Sequence, residues 1–209
     1  MIRVLYTQFT QQFTDEVRDR YAASITFDPL FRLDRYLRWE DAQAHLIGRL
    51  LLARGMASFG IMDIPPLAYS AWHRPSAGAL IDFSIAHSGQ YVLCALSDGA
   101  RVGIDVERIR PVDLISMQPS FSRQQWEEIM TSDNPAQQLF DSWTRKEAVA
   151  KADGRGMHIL DQISWHHSGA QVAHTVWHLQ ELKLSADYCI YLAASEKIPT
   201  ELSLIKVTL

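Results

Sequence analysis

The sequence predicts an α+β protein, and three stretches carry that expectation. Gly103-Ile104-Asp105-Val106-Glu107 alternates apolar and acidic residues, the period-2 mark of a strand with one buried face. Ser132, Asp133 and Asn134 are cap candidates ahead of Pro135, which suits a first helical turn, and Gly154 supplies a stop. The segment between reads as a helix. Tyr91-Val92-Leu93-Cys94-Ala95-Leu96-Ser97 and Tyr188-Cys189-Ile190-Tyr191-Leu192-Ala193-Ala194-Ser195 are two strand-like runs that look alike, which suits an internal duplication. The expected division is an N-terminal α+β half over 1–102 and a C-terminal α+β half over 103–209.

In chain order, residues 3–6 read as a strand and residues 14–21 as a polar amphipathic stretch. A helix over 40–58 follows, with Leu46, Ile47, Leu50, Leu51 and Leu52 as a broad apolar face. Pro65-Pro66 and residues 70–78 form a loop. Residues 83–85 and 91–96 read as strands joined by a turn at Ser88-Gly89-Gln90. After the Gly103 strand come a helix carrying Trp126 and Ile129, the 135–153 helix, and strands over 163–165, 172–182 and 188–194.

Composition narrows the class. The chain has 209 residues, 47% apolar and 21% charged, as in ordinary globular proteins of one large or two small domains. A net charge of −4 argues against a general nucleic-acid binder. No apolar run approaches the length of a membrane span, and Met1-Ile2-Arg3-Val4 does not open a signal peptide, so a cytoplasmic location is expected. Cys94 and Cys189 lie in strand-like runs and read as buried free thiols of a reducing compartment.

Two carboxylates on one strand face repel each other, and a hard divalent cation would justify Asp105 beside Glu107. The bland reading is a solvated edge strand with two ordinary acids. On a helical wheel Ala136, Leu139, Phe140, Trp143 and Ala150 form an apolar stripe that includes Glu147, with Lys151 one turn further on. An inward carboxylate is costly unless paired, protonated or metal-bound, whereas an exposed Glu147–Lys151 pair is worth only about 0.2–0.5 kcal/mol. Taken together, the acids favour a metal site made by Asp105, Glu107 and Glu147. His166, His167, His174 and His178 form a rival cluster, with His174 and His178 at helical spacing. The segment reads better as strand, and no cysteine or HExxH partner completes a zinc pattern, so these read as solvated strand-face residues.

Gly103-Ile104-Asp105-Val106-Glu107 followed by Trp143-Thr144-Arg145-Lys146-Glu147-Ala148-Val149-Ala150-Lys151 resembles the paired signature of the 4′-phosphopantetheinyl transferases. The single-chain, surfactin-synthetase-activating (Sfp) type fits best. Phe83-Ser84-Ile85-Ala86-His87-Ser88 resembles a third family element, and Arg74-Pro75 a fourth. Asp153-Gly154-Arg155-Gly156-Met157 resembles the family's G-x-G-[LM] turn. These elements cover most of residues 30–157.

The resemblance implies a fold of two similar α+β halves about a pseudo-twofold axis, each an antiparallel sheet packed with helices, with the active site between them. It implies a holo-acyl-carrier-protein synthase reaction. A serine hydroxyl of an apo acyl or peptidyl carrier protein attacks the β-phosphorus of coenzyme A; phosphopantetheine is transferred and 3′,5′-ADP leaves. Mg²⁺, with Mn²⁺ the alternative, would sit on Asp105, Glu107 and Glu147. Glu147 would be the general base, directly or through water, and Lys151 would steady the leaving phosphate. Coenzyme A contacts carried over are Arg32, His45, Arg74, Ala86, His87, Asp105, Lys146 and Lys151, with Arg38 an alternative at the 3′-phosphate. Ala86 departs from the family's usual serine and leaves a backbone N–H there. Arg108, Arg110, Met117, Phe121 and Arg123 are the candidate docking surface for an acidic carrier. Chain length suits a pseudodimeric monomer. The alternatives are a metal-dependent pyrophosphate hydrolase acting on coenzyme A or nucleotides, and a non-catalytic carrier-binding module.

Overall fold

Residues 1–166 and 169–209 are described by a computed structural model of the chain. They divide into two units, Met1–Ala100 with Pro199–Leu209, and Arg101–Ile198. Each unit is a sheet covered by one long helix.

In the first unit β1 (Ile2–Gln8), α1 (Asp15–Ala23) and α2 (Trp39–Ser58) lead to a short β2 (Ala68–Tyr69) and β3 (Pro75–Ser76). The hairpin strands β4 (Asp82–Ser88) and β5 (Tyr91–Ser97) follow. Together with a late strand, Ser203–Lys206, they form a sheet whose order is Ser203–Lys206, β1, β5, β4. Its pairings are antiparallel except that β1 runs parallel to the late strand, with Arg3 opposite Ser203. The interior strand β5 is buried at every residue. Leu46, Ile47, Leu51, Leu52 and Met56 of α2 pack on it with Phe83 and Leu96. A buried ion pair fastens the segment before α2: Arg49 Nε lies 2.6 Å from Asp28, whose other oxygen accepts from the Tyr69 hydroxyl at 2.7 Å.

The second unit runs β6 (Val102–Arg108), α3 (Leu114–Met117), a 3-10 turn over Gln118–Ser120, α4 (Arg123–Met130) and α5 (Pro135–Asp153). A second 3-10 segment, Gly156–Gln162, leads into β7 (Ser164–His166), β8 (Gly169–Val172), β9 (Thr175–Glu181) and β10 (Tyr188–Ala194). The sheet is antiparallel in the order β6, β10, β9, β8, β7. Helix α5 begins as the sequence predicts: Asn134 accepts from Gln137 N–H, Pro135 stands in the first turn, and Gly154 ends it in the left-handed conformation at φ 89°. The strand Ser203–Lys206 is β11 in chain order.

Two expectations on the elements change. Residues 172–182 are not one strand: Val172 pairs with Thr175 around a turn in which Ala173 has φ 51°, so β8 and β9 form a hairpin. His174 therefore sits in the turn and His178 in β9, which removes their helical spacing; His167 lies outside the described residues. Residues 199–209 belong with the first unit rather than the 103–209 half, because β11 pairs with β1 and Ile205, Val207 and Leu209 pack on that unit's core. The solvated alternative for the acidic strand is not what is seen: β6 lies at the edge of its sheet, but Val102 to Val106 are all buried. Cys94 and Cys189 are buried free thiols, as expected.

Candidate active site

The acidic strand and the signature helix of the second unit are pressed together. A Cβ added at Gly103 would lie 2.1 Å from the Ala148 carbonyl oxygen and 2.3 Å from the Ala152 nitrogen. Only a glycine lets the α5 backbone approach so closely. Residues 103, 105 and 107 share one face of a strand, so Asp105 and Glu107 are turned to the face that α5 covers. Glu147 and Lys151, one helical turn apart, share a face of α5.

Lys151 Nζ donates to Asp105 Oδ1 at 2.6 Å. Asp105 is only 5% exposed. Burial pushes its carboxyl up to about 7; Lys151 opposes the rise, and the charges of Glu147 and Glu107 add to it. Burial likewise raises Glu147, against Lys151 and with Glu107. For Lys151 burial works downward, but Asp105, Glu147 and Glu107 outweigh it and hold the ammonium above the usual lysine range. One ammonium thus stands among three mutually coupled carboxylates. The reading of two solvated surface acids does not hold, because Asp105 is buried and bonded to Lys151.

The other Asp105 oxygen, Oδ2, is buried without a hydrogen-bond partner. An orphaned carboxylate oxygen with two further carboxylates coupled to it suits a hard divalent cation by donor type. The acids are not, however, gathered into a ready-made cage. Among the described residues no group of three or more histidines, cysteines or acids is close enough to hold a metal ion; Lys151 supplies the compensating charge instead.

The apolar stripe expected on α5 is too narrow. Ser142, Thr144, Lys146, Ala148, Val149 and Ala152 are buried as well as Leu139, Phe140 and Ala150. Lys146 is the largest correction. It is fully buried, and its ammonium donates to the carbonyls of Ser120 at 2.8 Å and Leu160 at 2.6 Å, 5.1 Å from the Phe121 ring centre. Burial lowers its pKa to about 8. With donors committed to backbone carbonyls, it is not displayed as a coenzyme A ligand.

Sequence reasoning missed a network beside the acids. Tyr191 stands directly opposite Asp105 in the β6–β10 register. Its hydroxyl donates to Asp141 at 2.6 Å and accepts from Arg145 at 3.0 Å, and Arg145 pairs with Asp141 at 2.9 Å. The i, i+4 spacing of Asp141 and Arg145 was the available signal.

The first unit holds the other candidates. Arg74 lies in the 70–74 loop, where Ser70 Oγ accepts from the N–H of Trp72 and of Arg74. Its guanidinium grips Asp82 with both terminal nitrogens, at 2.8 and 2.7 Å, so its charge is already matched by a carboxylate. Ala86 is buried in the edge strand β4, and His87, next to it, is exposed. His45 is stacked on Phe31 at 5.3 Å and lies 5.2 Å from the Tyr36 ring. Burial, then Arg49, lowers it to about 4, so at neutral pH it is a neutral ring and supplies no counter-charge to a phosphate. Arg32 is exposed and bonded to Asp34 at 2.8 Å.

The docking candidates separate by burial. Arg108, Arg110 and Arg123 are exposed, whereas Met117 is half-buried and Phe121 is buried in a cluster with Ile129 and Leu139. Phe121 therefore shapes the surface from beneath and offers little of itself to a partner.

The sequence model of the 4′-phosphopantetheinyl transferase superfamily matches residues 101–196, which lie within the second unit, Arg101–Ile198. The chain is 27% identical over 171 residues to the 4′-phosphopantetheinyl transferase gsp of Aneurinibacillus migulanus, covering 79% of this chain and 71% of that one. It is 27% identical over 158 residues to 4′-phosphopantetheinyl transferase Sfp of Bacillus subtilis, covering 72% and 70%. Against 4′-phosphopantetheinyl transferase AcpT of Salmonella typhimurium the identity is 38% over 116 residues, covering 52% and 57%.

Proposed function

We propose, from the premise that the chain belongs to the 4′-phosphopantetheinyl transferase superfamily, that it transfers the phosphopantetheine group of coenzyme A to a serine of an apo carrier protein. The observation that carries this reading is the Lys151–Asp105 contact beneath a helix that also brings Glu147 to the acidic strand. Attack on a phosphate diester anion needs charge neutralisation, a base for the incoming hydroxyl and support for the leaving group.

Glu147 is the base. Burial raises its proton affinity, as suits a group that must take a proton from serine near neutral pH. Lys151, kept protonated by three carboxylates, steadies the phosphate of departing 3′,5′-ADP. Asp105, Glu107 and Glu147 are the acids that would draw together on Mg²⁺, or Mn²⁺, since as they stand they do not form a three-ligand site; the ion when bound would supply charge neutralisation at the pyrophosphate. Asp105, Lys151, Arg74, Ala86 and His87 are the proposed contacts to coenzyme A near the reacting phosphates, with Arg32 and a neutral His45 toward the 3′-phosphate. The three exposed arginines Arg108, Arg110 and Arg123 would meet an acidic carrier.

The twofold duplication is part of the same reading. Its support is that the two similar runs are interior strands of their own sheets, β5 between β1 and β4 and β10 between β6 and β9. A pseudodimeric monomer is the expected state, which sizing in solution would test. No helix among the described residues is long and apolar enough to cross a membrane.

The deciding experiment is intact mass spectrometry of an apo acyl carrier protein incubated with coenzyme A, Mg²⁺ and this protein. A mass gain of one phosphopantetheinyl group, stopped by EDTA, is expected. Coenzyme A cleaved with no carrier modified would replace this reading by the hydrolase, and neither change with a panel of carriers would leave a binding module.

A further inference from the structure

We infer that Lys146 is a positioning residue that fastens two surface segments to α5, and that it acts on the carrier side of the reaction rather than on coenzyme A. The inference rests on the transferase reading above. Lys146 adjoins Glu147 in sequence, but its side chain points away from the acids, into the body of the second unit. A buried ammonium is tolerated only where its donors are satisfied. Here two carbonyls and an aromatic face do so, and they come from two different segments: Ser120 and Phe121 from the stretch before α4, and Leu160 from the 3-10 segment Gly156–Gln162.

The first of these segments forms one wall of a groove of about 560 Å³ lined by Gln118, Pro119, Phe121, Arg123, Trp126 and Glu127. Phe121 reaches Trp126 and Trp143 by ring contacts at 6.3 and 6.5 Å, so the wall, α4 and α5 are tied together at this residue. Releasing Lys146 loosens the Ser120–Phe121 wall while leaving Asp105, Glu107 and Lys151 untouched. The groove and the exposed Arg123 belong to the face proposed to meet the carrier, so the carrier is the substrate that should feel the change.

The test compares wild type with Lys146→Met, which keeps the stem and removes the ammonium. Coenzyme A affinity is measured by calorimetry without any carrier, carrier KM and kcat in steady state, and amide exchange over 118–121 and 156–162 by mass spectrometry. Expected are unchanged coenzyme A affinity, faster exchange in both segments, and a carrier KM raised about tenfold, the scale of one well-made contact, with kcat little altered. A coenzyme A affinity reduced tenfold with exchange unchanged would make Lys146 a ligand contact and overturn the inference, as would no change in exchange or carrier KM. If wild type binds no coenzyme A, the transferase reading fails, whereas exchange over the two segments still decides whether Lys146 anchors them. Should Lys146→Met not fold, Lys146→Gln, whose amide donates to one carbonyl, is measured in the same way.

Discussion

Replacing Gly103 by alanine adds one methyl group where β6 and the α5 backbone approach closely. That carbon would stand 2.1 Å from the Ala148 oxygen, where ordinary contact begins at 3.4 Å, so α5 must retreat by more than an ångström or β6 must deform. All three near atoms are helix backbone, and no side chain exists to swing aside. Over-packing of this kind costs about 1–3 kcal/mol. The fold should survive with a lowered Tm, because α5 is buried on nearly every side and is held by much else. Activity is the more sensitive readout. Lys151 Nζ lies 2.6 Å from Asp105 and would be carried out of hydrogen-bond reach by such a shift. A misplacement of about 1 Å in a catalytic array costs on the order of a hundredfold in rate. The assay is a time course of holo-carrier formation by mass spectrometry, beside thermal unfolding of the same sample. Gly103→Ala with wild-type Tm and wild-type rate would show that the close approach is not what sets the site.

Other outcomes follow from the same contacts. Asp105→Ala and Glu147→Gln should each abolish transfer while circular dichroism stays native; substantial residual turnover in either would refute its role. Asp105 has a folded pKa of about 7 against an unfolded value near 3.8. Its contribution is therefore full below pH 4 and lost as pH rises through 7. With EDTA present, stability should fall as pH rises over that window, with the Lys151 ammonium offsetting part of the loss. Asp105→Asn should flatten this slope in denaturant titrations at several pH values, and an unchanged slope would assign it to other groups. Arg49→Met strands the buried Asp28 carboxylate, which Arg49 and Tyr69 hold below the ordinary range against its burial. It should cost about 3–5 kcal/mol in urea unfolding, and a loss of under about 1 kcal/mol would mean water reaches the site.

The placement of the candidate site residues in the second unit was legible because it rests on local periods. Alternation put Asp105 and Glu107 on one face, and helical spacing put Glu147 with Lys151. What that spacing leaves open is which way a neighbour turns. Lys146 and Glu147 are adjacent in the signature but lie about 100° apart around the helix, and only the packed segments around Ser120 and Leu160 decide that Lys146 is buried. The companions of single residues were equally hidden. Asp82 for Arg74, Asp28 for Arg49 and Tyr191 for Asp141 are each distant in sequence or part of another element. The break between β8 and β9 left no mark, since the turn carries its positive φ on Ala173, without the glycine, asparagine or aspartate that usually signals one. The burial of His45 beside Phe31 was also invisible, and with Arg49 it leaves this candidate phosphate contact a neutral ring.

The parallel pairing of β11 with β1 orders events during synthesis. Arg3 must wait for Ser203 before that side of its strand is covered, and the whole of Arg101–Ile198 is translated in between. Until then the nascent first unit presents β1 as an uncovered sheet edge, the kind that invites pairing with other chains. Its antiparallel partner β5 arrives much earlier, so a three-stranded β1–β5–β4 sheet on α2 is the species that chaperones would meet on the ribosome. Substitutions in Ser203–Lys206 should accordingly lower the yield of soluble protein more than they lower the activity of the molecules that mature.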